Sequence, residues 1–125
     1  MKAKGLSWVG IGTDHYAATR RLFADVFCMD VMAEGDEQVI LRLPSGQQVE
    51  IFGAEGRGKS LNSPPTIAFE VDDIAEARDA LVAAGIEIVG EIGSWNGNEW
   101  LYFRSPDGYL FEVKKTPPAE AVHQP

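Results

Sequence analysis

Alternation of apolar and polar side chains marks most of this chain and predicts β-strands, because successive side chains of a strand point to opposite faces. The first such segment covers residues 6–13, in which Trp8 and Gly10 share one face while Val9 and Ile11 share the other. Further strands of the first half are predicted for residues 31–33, 38–43 and 47–52. The first half is therefore dominated by strands.

The pattern restarts at Pro65, and strands are predicted for residues 66–71, 86–89, 98–104 and 109–114. Within the third of these strands, Trp100 and Tyr102 alternate with Leu101 and Phe103. Alternation alone puts the indole and phenol rings on one face of this strand, and the side chains of Leu101 and Phe103 on the other.

One helix is predicted in each half. Asp14 is expected to cap a helix that runs to about Cys28. Its predicted apolar stripe is Tyr16, Phe23, Val26 and Phe27. In the second half Asp73 and Glu76 form a capping-box-like pattern, and Gly85 ends that helix.

The two halves repeat one unit. Trp8 and Thr66 lie 58 residues apart at the start of the two halves, and Glu50 and Glu112 lie 62 residues apart near their ends. The order of predicted elements is β-α-β-β-β each time. We therefore predict an α+β fold in a single domain. Its parts are module one (6–53), a glycine-rich linker (54–64), module two (65–114) and a loose tail (115–125).

Two glutamates stand out because each lies in an otherwise apolar strand, four residues after the glycine of a Pro-x-Gly turn. A carboxylate in such a strand faces either water or a group that needs a negative charge. Because Glu50 and Glu112 occupy equivalent positions of the repeat, they are candidate functional residues.

Composition narrows the possible partners. The chain has 125 residues, a formal net charge of −8 and one cysteine, Cys28. The negative charge argues against nucleic acid and anionic membranes as partners. A single cysteine excludes an intrachain disulfide, and with no apolar signal segment at the start it predicts a cytoplasmic location.

These features together resemble the vicinal oxygen chelate superfamily, which includes glyoxalase I, extradiol dioxygenases, and fosfomycin and bleomycin resistance proteins. The resemblance covers residues 6–114 and is carried by the tandem β-α-β-β-β order and by the segments Ile67-Ala68-Phe69-Glu70-Val71-Asp72-Asp73-Ile74 and Ser105-Pro106-Asp107-Gly108-Tyr109-Leu110-Phe111-Glu112. It implies two modules with curved mixed sheets around a ligand cavity.

Metal-dependent members of the superfamily place a metal ligand on the first and the last strand of each module. The resemblance assigns these four positions here to Trp8, Glu50, Thr66 and Glu112. An indole nitrogen is only a donor, and a threonine hydroxyl is a poor ligand for first-row metals. We therefore expect neither a metal nor another cofactor. A hard divalent ion with several waters between Glu50 and Glu112 remains the alternative.

Alternation and the resemblance together predict an aromatic and acidic cavity. The predicted ligand-binding residues are Trp8, Glu50, Phe52, Thr66, Trp95, Trp100, Tyr102, Leu110 and Glu112. Trp95 is expected in a loop over residues 93–97 that acts as a lid. Ring faces combined with carboxylates suit cations and flat aromatic molecules.

Three functions follow from this. The first is metal-free binding and sequestration of a small cationic or planar aromatic molecule, as in bleomycin resistance proteins, with antibiotic resistance as the biological role. The second is an enzyme of the glyoxalase, isomerase or dioxygenase type that uses Glu50 or Glu112 as a general base or as metal ligands. The third is a module whose role is assembly alone. A homodimer is expected, because each module leaves an apolar cup open.

Overall fold

The computed structural model describes residues 1–54 and 65–118. Most of the predicted linker and the last part of the predicted tail lie outside these residues. The described residues form two compact units. The first unit lies within Trp8–Ile67, and the second consists of Met1–Ser7 and the described residues from Ala68 onward.

The first half of the chain has four strands and one short helical region. The elements are β1 (Gly5–Gly12), α1 (Tyr16–Arg21), a π-helical turn (Leu22–Val26), β2 (Asp30–Gly35), β3 (Gln38–Arg42) and β4 (Gln48–Phe52). Strands β2, β3 and β4 are antiparallel neighbours, and β1 joins β4 in parallel.

The second half repeats this arrangement. Its elements are β5 (Thr66–Glu70), α2 (Ile74–Ala83), β6 (Glu87–Trp95), β7 (Asn98–Arg104) and β8 (Leu110–Lys115). Strands β6, β7 and β8 are antiparallel neighbours, and β5 joins β8 in parallel. The predicted α+β class with two β-α-β-β-β modules of mixed strands is therefore confirmed.

One face of each unit's strands packs against the unit's own helical region. In the first unit the core contains Val39, Leu41, Val49 and Ile51, and Val9 and Ile11 pack against it from β1. In the second unit Leu101 and Val113 form a core with the buried stripe of α2, which consists of Ile74, Ala77 and Leu81. The opposite face, called here the open face, carries the intervening residues of each strand.

The predicted boundaries of α2 are close to those observed. The side chain of Asp73 accepts a hydrogen bond of 3.0 Å from the backbone N–H of Glu76, as predicted for an N-cap. Gly85 follows the helix with φ +76°, which is the left-handed conformation expected of a terminating glycine.

The prediction for the first helix is wrong in two respects. Asp14 does not cap it: the N-cap position is His15, and no side chain caps the helix. The helix also changes to a π turn, in which the N–H of Phe27 bonds the carbonyl of Leu22. A π turn inserts one residue into the helical repeat. Val26 and Phe27 are consequently turned away from the core and are 67% and 59% exposed.

The prediction of a lid loop over residues 93–97 is also wrong. Strand β6 extends to Trp95, and a two-residue turn of Asn96 and Gly97 connects it to β7. Both turn residues have positive φ, +51° and +81°, as tight hairpin turns with an Asn-Gly sequence require. Trp95 therefore lies at the end of a strand.

In the part of the chain that the structure describes, no helix is long and apolar enough to cross a membrane.

Candidate functional site

Glu50 lies at the centre of β4 on the open face of the first unit. Its neighbours Val49 and Ile51 point into the helix-covered core, so strand alternation directs the carboxylate the other way. The side chain is only 4% exposed. A carboxylate this deeply buried requires polar partners.

Two neutral donors bind the two oxygens of this carboxylate. The indole Nε1–H of Trp8 donates to Oε1 over 3.0 Å, and the amide Nε2–H of Gln38 donates to Oε2 over 2.7 Å. Gln38 was missed in the sequence prediction, although alternation along β3 places it on the same face as Ile40. The carboxylate is thus held in one orientation by side chains from β1 and β3.

A glycine makes room for the indole. Trp8 is 5% exposed, and a Cβ added to Gly10 would come within 2.6 Å of Cζ2 and 2.7 Å of Cζ3 of its ring. Contacts this short are not seen between real atoms, so only glycine at this position lets the indole lie along β1 and reach Glu50. The sequence Trp8-Val9-Gly10 is therefore the local basis of the hydrogen bond.

Two other predicted residues, Phe52 and Thr66, are fully buried. Phe52 has no exposed surface and lies in register with Gly12 and Gln38 on the open face. Thr66 is 1% exposed and shares its face of β5 with Ala68.

A cavity lies at the outer end of the first unit's open face. Its volume is about 230 Å³, and Ala33, Glu34, Gly35, Gln38 and Ile40 line it. The carboxylate of Glu34 accepts hydrogen bonds from Arg20, and this interaction holds the pKa of Glu34 below its usual range. Gln38 connects this cavity to Glu50.

The open face of the second unit brings together most of the predicted aromatic residues. Tyr102 lies in register with Glu112, and Trp100 lies in register with Lys114. Leu110 is on the same face two residues before Glu112 and opposite Arg104. Glu112 is 4% exposed, whereas the two rings are half-buried. The rings and the carboxylate thus form one continuous surface.

Trp100 also lies against a glycine. A Cβ on Gly93 of the neighbouring strand would come within 2.5 Å of Nε1 and 2.7 Å of Cζ2 of the Trp100 ring. Trp95, two residues after Gly93, is on the same face and is 67% exposed. Each unit therefore has an open-face tryptophan whose position depends on a glycine.

Sequence reasoning did not identify Lys114, which is 9% exposed and shares the open face with Glu112. A lysine at the end of a predicted strand is usually solvated, but alternation with the buried Val113 indicated the same side as Glu112. Glu70 also lies on this face, but its carboxylate is bound within the protein. Its oxygens accept hydrogen bonds from the N–H and hydroxyl of Thr116 at 2.7 and 2.8 Å.

The residues at the four metal-ligand positions do not fit a transition metal. Trp8 donates its only polar hydrogen to Glu50 and has no lone pair for a metal. Within residues 1–54 and 65–118, no group of three or more histidine, cysteine, aspartate or glutamate side chains is close enough to hold an ion. His15 lies at a helix start, and His123 lies outside the described residues.

Each half of the chain has a buried carboxylate, Glu50 or Glu112, at the equivalent position of its last strand. The sequence model of the Glyoxalase/Bleomycin resistance protein/Dioxygenase superfamily matches residues 5–113. The chain therefore belongs to this superfamily, as the resemblance predicted. A search of curated proteins gave no match.

Solved structures agree with this assignment. A glyoxalase/bleomycin resistance protein/dioxygenase superfamily member from Vibrio splendidus 12B01 is 25% identical, with a TM-score of 0.64 over 88% of this chain and 97% of that one. Methylmalonyl-CoA epimerase from Mycobacterium tuberculosis is 21% identical, with a TM-score of 0.73 over 96% and 93%. The Mn(II)-bound glyoxalase from Novosphingobium aromaticivorans is also 21% identical, with a TM-score of 0.73 over 91% of this chain and 39% of that one. Because the last two structures are only 21% identical to this chain, their similarity shows the fold alone.

Proposed function

We propose that this protein binds a small, planar organic molecule with a cationic group and sequesters it without chemical change, in the manner of bleomycin resistance proteins. The proposal rests on the hydrogen bond from Trp8 to Glu50. These two residues occupy two of the superfamily's metal-ligand positions, and here one donates a hydrogen bond to the other. An antibiotic or another xenobiotic is the ligand class we propose.

The open face of the second unit supplies the contacts that such a ligand needs. The half-buried rings of Trp100 and Tyr102 offer surfaces on which a flat molecule can stack. A cation over such a ring gains about 0.5–2 kcal/mol, depending on how far it is desolvated. Glu112, opposite Tyr102, supplies a counter-charge. Trp8, Glu50, Phe52 and Thr66 remain predicted contacts.

Fluorescence titration tests this proposal, because a ligand that stacks on tryptophan changes its emission. We expect cationic aromatic dyes and basic glycopeptide drugs to quench the emission saturably. Trp100→Ala and Glu112→Gln should abolish the effect. Glu99→Gln is the matched control, since Glu99 lies beside Trp100 on β7 but on the other face. The proposal fails if no cationic compound binds while an anionic or neutral metabolite is turned over.

An enzyme is the second candidate, and one observation favours it. Tyr102, Glu112 and Lys114 place three ionisable side chains on one largely buried face, an arrangement common where protons are transferred. The similar structures include proteins named as epimerases and a glyoxalase. Turnover of an acyl or carbonyl substrate that is lost in Glu112→Gln would support this candidate. Near one equivalent of Zn, Mn, Fe or Ni per chain, lost in the same variant, would refute the metal-free proposal.

We also propose a homodimer. The first unit exposes the apolar side chains of Leu22, Val26 and Phe27 on its helical region, and Val31 and Met32 on the adjacent strand. Exposed apolar side chains in such numbers commonly mark an association surface. Light scattering at micromolar concentration should report twice the chain mass. A strictly monomeric species would refute the dimer and leave the fold unaffected.

A further inference from the structure

We infer that Lys114 determines the chemical class of the ligand: the open face of the second unit takes a planar molecule with an anionic group as well as a cationic one. The inference rests on the proposed function, since it concerns the same face. It changes the preferred ligand from a simple cation to an amphoteric aromatic molecule.

The burial of Lys114 is the first observation. The side chain is 9% exposed, and lysine is almost never this deeply buried at a position without a structural or functional demand. Between Lys114 and Glu112, Val113 points into the core against α2. Both charged side chains therefore leave β8 on the open face, and neither is a surface charge.

The register of β7 and β8 is the second observation. Side chains two residues apart on one face of a strand are separated by about 6.6 Å. Trp100 lies opposite Lys114 and Tyr102 lies opposite Glu112, so each charge has an aromatic ring beside it. The four side chains form two rows across the strands, each with one ring and one charge. A flat ligand stacked on both rings would place its two ends beside opposite charges.

Both charges can bind a ligand group while they keep partners within the protein. An ammonium has three donors, and a carboxylate accepts at about four lone-pair positions. Glu70 lies in register with Lys114 on β5 and offsets part of the lysine charge, although its oxygens are held by Thr116. A ligand with only a cation would approach Glu112 but also meet the remaining like charge of Lys114. A ligand that carries a carboxylate at its other end relieves this repulsion. The face therefore favours an amphoteric ligand over either singly charged one.

Four related probes test this inference on the unmodified protein. 4-(Aminomethyl)benzoic acid carries an ammonium and a carboxylate at opposite ends of one ring, whereas benzylamine and benzoic acid each carry one of these charges. We expect the dissociation constant of the amphoteric probe, measured by tryptophan fluorescence, to be at least tenfold lower than that of either singly charged probe. 3-(Aminomethyl)benzoic acid, with the charges closer together, should bind more weakly than the 4-isomer.

Lys114→Met removes the charge and keeps much of the aliphatic stem. It should abolish the preference for the amphoteric probe over benzylamine, and Lys114→Arg should retain it. Lys115→Met is the matched control, because Lys115 is the next residue of β8 and points to the other face. It should leave all dissociation constants within about twofold of wild type, since surface changes are usually small.

The outcomes separate this inference from the proposed function. If benzylamine binds to wild type as tightly as the amphoteric probe, Lys114 does not select the ligand, and the inference is wrong while cation binding stands. If neither probe nor any cationic dye binds saturably, the proposed function itself is wrong. The comparison of probes on wild type decides the inference even if the variants of Lys114 do not fold.

Discussion

Replacement of Gly10 by alanine tests the packing that holds Trp8 against Glu50. The new Cβ would overlap most severely with Cη2 of Trp8 and would lie 2.6–2.7 Å from Cζ2 and Cζ3, whereas carbon atoms pack at about 3.5–4.0 Å. The indole must therefore move by at least about 1 Å. Its hydrogen bond to Glu50, now 3.0 Å, cannot survive such a displacement with normal geometry.

The expected cost follows from these two effects. Overpacking of a buried site costs about 1–3 kcal/mol. Loss of a hydrogen bond to a charged group costs about 1.5–3 kcal/mol. The lower entropy of the unfolded alanine chain offsets about 0.4–1 kcal/mol of this. We expect the free energy of unfolding to fall by about 2–5 kcal/mol, a large part of the stability of a domain of this size.

Urea unfolding followed by far-ultraviolet circular dichroism measures this change. The midpoint should fall while the slope of free energy against urea is unchanged. Gly35→Ala is the matched control, since Gly35 also lies in a strand of the first unit and a Cβ there would meet nothing within 4 Å. It should lose no stability.

A double-mutant cycle identifies the indole as the cause. In a Trp8→Phe background the ring atoms nearest to the new Cβ are absent, so Gly10→Ala should cost less than about 1 kcal/mol. An equal cost in both backgrounds, or a change below about 0.5 kcal/mol in wild type, would refute the reasoning.

Three further predictions concern the second unit and the surface. Gly93→Ala should displace the half-buried Trp100, lower stability by only about 1 kcal/mol and weaken dye binding at least tenfold in fluorescence titration. Asp73→Ala should remove the N-cap of α2 and lower the urea-derived stability by about 1 kcal/mol. Because Arg20 lowers the pKa of Glu34, their pair stabilises the fold above the usual glutamate pKa of 4.5 and is lost as the pH falls through the lower folded value. Glu34→Gln should therefore show a smaller loss of melting temperature below pH 4.5 than wild type.

Local sequence was sufficient to predict the two modules and the direction of most side chains. Strand alternation is a property of the covalent backbone, so it placed Trp100 with Tyr102, and Leu110 with Glu112, without knowledge of any contact. The family resemblance then predicted that the two pairs share one face. The cap at Asp73 and the glycine after α2 were equally predictable, because both are interactions within a few residues.

Features that depend on neighbouring strands could not be predicted in this way. The hydrogen bond from Trp8 to Glu50 joins residues 42 positions apart, and it exists only because β1 and β4 pair in a particular register. Gln38 became part of this arrangement through the pairing of β3 with β4.

The burial of single residues was decided by the tertiary structure as well. Val26 and Phe27 follow the apolar pattern of a helix, yet a π turn exposes them because it rotates the helix beyond residue 22. Lys114 follows the pattern of a solvated strand end, yet it is nearly buried on the face that carries Glu112. The sequence determined on which face of its element each of these side chains lies. Its exposure to water depends on atoms that the pairing of distant strands brings close.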